Sequence, residues 1–186
     1  MEWIAGSVPR GLKRFASGGV TRAMKRLILF LLPLALFAAD LVKEVRHELV
    51  TLPYYGVFDN LAYRVDGSKV TLFGQVRDPK LKSDAEKAVK SIEGVSAVDD
   101  QIEVLPLSPM DDQTRIAVYR AIYSKPTLQR YQLGAVPPIH IIVRNGDVTL
   151  EGVVANEMDK NVAGISANGV GSVHKVNNNL RTDSGK

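Results

Sequence analysis

The chain has 186 residues, 45% of them hydrophobic and 24% charged, an ordinary composition for a globular protein with one or two small cores. It contains no cysteine, which excludes a disulfide framework, a thiolate nucleophile, a cysteine-ligated metal and a cysteine-linked lipid anchor. The net charge of +4 is localised: of 24 basic and 20 acidic side chains, six and one fall in residues 1–39, leaving 18 against 19. The remainder lacks the positive field of a general nucleic-acid binder, so no nucleic-acid partner is expected.

Met24-Lys25-Arg26 precedes thirteen apolar residues, 27–39, and then Asp40. A basic start, an apolar stretch of this length and small residues before a polar one read as an export signal over residues 24–39. The run is short of the roughly 20 residues a spanning helix needs. Cutting after Ala39 places Phe37 where a small residue is preferred, and the competing reading is a short membrane-associated or core helix. For residues 1–23, either translation begins at Met24 or the stretch is a basic extension. Residues 1–39 are therefore set apart from the fold.

Leu41, Val42, Val45 and Leu49 recur at helical spacing, with Asp40 as a candidate N-cap and Pro53 as the stop. Residues 52–60 form a loop with Tyr54, Tyr55 and Phe58. Residues 61–65 alternate as a strand, Asp66-Gly67-Ser68-Lys69 supplies a turn, and residues 70–76 return. Gly74 interrupts that strand, and the expectation is that it makes room for a helix crossing the sheet. Asp78-Pro79 reads as N-cap and N1 of a helix carrying Leu81, Ala85, Ala88, Val89 and Ile92 inward and ending near Gly94. A third strand runs to Val104. The first module is thus 40–105, with a linker at 106–110.

The second module, 111–183, opens on a helix that Asp112 can cap, with Ile116, Tyr119, Ile122 and Tyr123 on it and Pro126 ending it. A loop over 125–138 follows, longer than its counterpart. Residues 139–143 form a strand, Asn145-Gly146 suits a type I′ hairpin turn, and residues 147–154 return through Gly152. Asn156 caps a helix with Met158, Val162, Ala163 and Ile165 inward. Residues 173–180 make the last strand.

Val70-Thr71-Leu72-Phe73-Gly74 reappears as Val148-Thr149-Leu150-Glu151-Gly152. Extended without gaps, residues 65–104 match 143–182 at ten of forty positions, including Val76/Val154, Lys82/Lys160, Ala85/Ala163 and Val98/Val176. One register held through strand, helix and strand indicates duplication. The predicted fold class is α+β: a tandem αββαβ module, each copy a three-stranded sheet backed by two helices.

The pattern V-x-L-x-G-x-V in the second strand, with Val95-x-x-Val98-x-Asp100-x-Ile102 and Val173-x-x-Val176-x-Asn178-x-Leu180 at the end, resembles the BON domain family. Gly74, Gly152 and Gly94 carry its signature. Gly171 stands one residue early in the second copy. The resemblance implies a non-enzymatic envelope module, periplasmic behind an export signal. It further implies association with anionic phospholipid or other envelope components and a part in osmotic stress tolerance.

No catalytic, cofactor or metal site is expected. His47, His140 and His174 share no ligand spacing with one another or with carboxylates. Asp99-Asp100 are strand neighbours that point to opposite faces, and of the pair Asp111-Asp112 the second is read as a helix cap. A lipid surface needs cations for phosphates and amphipathic aromatics at headgroup depth. Arg115, Tyr119, Arg120 and Tyr123 on the first helix of the second module are the candidate set. Lys80, Lys82, Lys87 and Lys90 form a second cationic face, diluted by Asp84 and Glu86. The alternative function is a protein-interaction adaptor, using strand edges or the loop at 54–58.

Overall fold

The computed structural model describes residues 40–134 and 136–183. The expected signal at 24–39 lies outside them. Module one comprises helix α1 (residues 40–50), β1 (Asn60–Asp66), β2 (Lys69–Val76), α2 (Pro79–Lys90) and β3 (Ala97–Val104). Module two comprises α3 (Pro109–Tyr123), a 3-10 turn (Gln129–Gln132), β4 (Ile139–Arg144), β5 (Asp147–Val154), α4 (Glu157–Asn168), β6 (Lys175–Asn178) and β7 (Arg181–Thr182). This is the duplicated α+β fold.

Each hairpin is antiparallel, and the last strand returns parallel to the second. Val70 lies opposite Val98, and Val148 opposite Val176, so both copies keep one register. In module two the last strand is broken: β6 and β7 both pair with β5, making four strands where three were expected. The repeated identities are mainly core. Val70, Leu72, Val76 and Ala85 are buried, as are Val148, Leu150, Val154 and Ala163.

The Asp/Asn of the family pattern also has a structural task. Asp100 Oδ1 accepts the Ile102 N–H at 2.9 Å, and Asn178 Oδ1 the Leu180 N–H at 3.3 Å. Asn178 Nδ2 also donates to the Lys160 carbonyl, while Lys82 Nζ donates to that of Ile102. A short acceptor two residues upstream ties the strand locally.

Several expectations are corrected. The glycines do not make room for a helix. A Cβ on Gly74 would meet the Asn60 carbonyl oxygen at 2.1 Å, and one on Gly152 that of Pro138 at 1.9 Å. The obstacle is the backbone of the paired strand, and φ is +117° and +122°. Asp112 does not cap α3. Ser108 does, accepting the Asp111 N–H, with Pro109 at N1, so residues read as linker belong to the helix. On α4, Asn156 caps as expected, but Met158 and Ile165 face outward, 68% and 73% exposed. Its inner face is small or polar: Asp159, Ala163, Ser166 and Ala167.

The modules touch through the open faces of their sheets and through residues 52–59. Ile142, on the face away from α3 and α4, is only 5% exposed. Arg144 pairs with Glu103 across the modules, and Arg77 approaches Asp112 at 3.9 Å.

Candidate functional site

The four residues chosen from sequence divide into two pairs. Arg115 is 3% exposed. Its guanidinium donates to Val143 O at 2.7 Å and Asp112 Oδ1 at 2.6 Å, which offsets much of the cost of burying the charge, while Nε is buried without a partner. Tyr123 is 5% exposed, packs against Tyr119 with ring centroids 4.7 Å apart, and has its phenol pushed well up by burial. Neither can reach a lipid headgroup, which corrects that expectation. Helical residues three and four apart share a face, but both of these fall on the inner one.

Tyr119 and Arg120 lie outside. Arg120 is exposed, and Tyr119 is half-buried with its hydroxyl accepting from Gln132 Nε2 at 2.6 Å. Both line a cavity of about 530 Å³, predominantly apolar, with Ile116 beside them on α3. Val57 and Phe58 of the 52–59 loop form a second wall. Gln132, Gly134 and Pro137 of the longer loop form the third. Phe58 meets Tyr119 edge-on at 6.1 Å, and the Arg77 guanidinium covers the Phe58 ring at 5.3 Å.

Local anchors set these walls. Asp111 is 2% exposed and accepts the N–H groups of Asn145 and Gly146 at 2.9 and 2.8 Å, joining the start of α3 to the β4–β5 turn. Asp159 accepts from the Tyr131 hydroxyl at 2.6 Å and from Arg130, pinning the longer loop to α4. The tyrosine-rich loop is mostly used internally. Val57 O accepts the Ile141 N–H at 2.8 Å, and Tyr55 stacks on His140 at 5.6 Å; Tyr54 is 78% exposed, with the Lys80 ammonium 5.6 Å from its ring centroid. Burial raises the Tyr55 phenol to about 12. Of the α2 lysines, Lys80, Lys87 and Lys90 are exposed, Lys87 and Lys90 lying near Asp84 and Glu86, while Lys82 turns in to β3.

Among the described residues, no group of three or more histidine or acidic side chains is placed to hold a metal ion. None of their helices is long and apolar enough to cross a membrane.

Two copies of one α+β module, each with a positive-φ glycine in its hairpin and a parallel third strand, define a tandem-repeat protein. The BON domain model matches residues 39–106 and 127–184. The chain belongs to the BON domain family and carries the module twice. No curated protein matches it. Among solved structures it is similar to CdsD, a structural protein of the Type III secretion system of Chlamydia trachomatis. Identity is 13%, coverage 78% of this chain and 94% of that one, and the TM-score 0.30. The C-terminal domain of CdsD gives 14% identity, 76% and 96% coverage, and a TM-score of 0.28. At these TM-scores neither likeness bears on function.

Proposed function

We propose that this is an exported, non-enzymatic protein of the cell envelope, periplasmic, that associates with anionic phospholipid and supports envelope integrity under osmotic stress. One observation carries the reading. The three segments in which the copies differ, namely the tyrosine loop, α3 and the longer loop, converge on one apolar pocket with an exposed arginine at its rim. An apolar recess beside a cation suits an amphipathic anion, with Arg120 toward the phosphate and Ile116, Phe58 and Tyr119 toward the chain.

The test is co-sedimentation of the full chain with phosphatidylglycerol or phosphatidylcholine vesicles at low and raised salt. Preference for the anionic vesicle, weakening with salt, is expected. The basic segment 1–39 can bind such vesicles by itself, so the decisive comparison is Arg120→Glu and Ile116→Asp against the unaltered chain. Both substitutions should cut binding several-fold with the fold intact. Equal binding by all three would remove the pocket from the reading. The adaptor alternative loses part of its proposed surface, because Tyr55 and Phe58 are already engaged between the modules.

A further inference from the structure

The loop 52–59 leaves module one and fastens onto β4 of module two. The Val57 carbonyl takes the Ile141 N–H at 2.8 Å, as an added strand would. His140, the preceding residue, lies flat against Tyr55, with rings 19° from parallel. Asp59 is 2% exposed at the base of the loop and accepts the Arg77 N–H at 2.8 Å.

His140 is poorly provided for as a cation. Its Nδ1 is buried without a hydrogen-bond partner, and Nε2 is 3.5 Å from the Tyr55 hydroxyl, the limit of such a bond. Tyr55 and Asp59 face it from the loop, and Glu151 lies opposite on β5. Arg46 of α1, Glu103 of β3 and Arg181 of β7 line the same inter-module cleft of about 810 Å³. The carboxylates of Asp59 and Glu151, with the nearby carbonyls of Asp59 and Gly56, favour a proton on the ring. Burial outweighs them and holds the imidazole below its ordinary 6.5.

The geometry points to His140 as an acid-sensitive anchor for this loop: a proton on its ring places a charge, held by no close hydrogen bond, in the packed contact with Tyr55, and loosens the loop from β4. The docked state keeps its full stability above about pH 6.5 and loses it as pH falls through and below that value. Asp59 acts with the opposite sign, since burial raises its carboxyl and protonation relieves a buried charge. Gly56, Val57 and Phe58 of this loop are also a wall of the apolar pocket. Acid would then remodel the pocket, a consequence that rests on the lipid reading; the anchor itself does not.

Amide exchange of the full chain at pH 7.5 and 5.5, corrected for intrinsic rates, tests the anchor. Protection of Ile141 should fall by up to about tenfold at the lower pH relative to Leu150. In His140→Phe, which stacks on Tyr55 but cannot titrate, Ile141 protection should not fall on acidification. An unchanged Ile141 in the natural chain, or the same fall in His140→Phe, overturns the proposal. Should that variant not fold, the ring titration of His140 in the natural chain decides: a midpoint at or above 6.5 also overturns it. Co-sedimentation of the same samples with phosphatidylglycerol vesicles separates the two ideas. Because residues 1–39 can bind vesicles alone, the readout is the difference between the unaltered chain and Arg120→Glu at each pH: a loosened loop with that difference unaltered leaves the anchor standing and removes the lipid from this pocket.

Discussion

At Gly74 and Gly152 a single hydrogen in place of a methyl decides whether two strands can pair. Both residues occupy positive φ, and both would drive a Cβ into a backbone carbonyl that cannot rotate away. The strain alone costs on the order of 1–3 kcal/mol, and the clash adds to it. Gly74→Ala and Gly152→Ala should therefore each lower the urea midpoint clearly. By contrast, Gly56→Ala, where a Cβ meets nothing within 4 Å and φ is not positive, should be near neutral. Asp111 offers a polar counterpart. Asp111→Ala leaves the N–H groups of Asn145 and Gly146 without their acceptor at a buried position. A loss of about 2 kcal/mol is expected, by the usual worth of hydrogen bonds to a charged group. Equal stability of this variant and the natural chain would show that water or Asp112 takes over.

Among the elements, what could be read from sequence was what depends on nearby residues. Asp78-Pro79 and Asn156 cap helices as their chemistry requires, and Asn145-Gly146 turns with φ of +51° and +80°, the type I′ geometry. Ser108-Pro109 carries the same cap signal as Asp78-Pro79, and the helix starts there, four residues before Asp112. Side-chain direction was less legible where size competes with hydropathy. The inner face of α4 uses Ala163, Ser166 and Ala167, which let the helix lie close, and this turns Met158 and Ile165 outward. Ile165→Gln should accordingly cost under about 0.5 kcal/mol, as exposed substitutions do, whereas Ala163→Gln, at a site with no exposed surface, should cost several times more. Comparable midpoints for the two would contradict this orientation of α4. The candidate site was half legible: Tyr119 and Arg120 reach it. Arg115 and Tyr123 are turned inward by the way α3 seats on β4, a tertiary fact the helical period does not contain.

For the molecule as a whole, the duplication supplied two small cores but not the way they join. The pocket and the inter-module cleft come from contacts between residues far apart in sequence, such as Phe58 with Tyr119 and Tyr55 with His140, which no local pattern encodes. Modules of this size stand near the lower limit for a self-sufficient core. Here Val57 and Phe58, which belong to module one, pack against the core of module two. Half-burial of Phe58 and its contact with Tyr119 imply a cost of about 2 kcal/mol for Phe58→Ala, below the range for a fully buried phenylalanine. Because the contact is shared, that cost should fall on both modules. Urea unfolding followed by amide exchange should show β2 and β5 losing protection in one transition, and Phe58→Ala should split it, with one module opening first. Two separate transitions in the natural chain would mean that the modules are docked without being energetically coupled. The Val57–Ile141 and Phe58–Tyr119 contacts would then serve to shape the pocket and not to stabilise the fold.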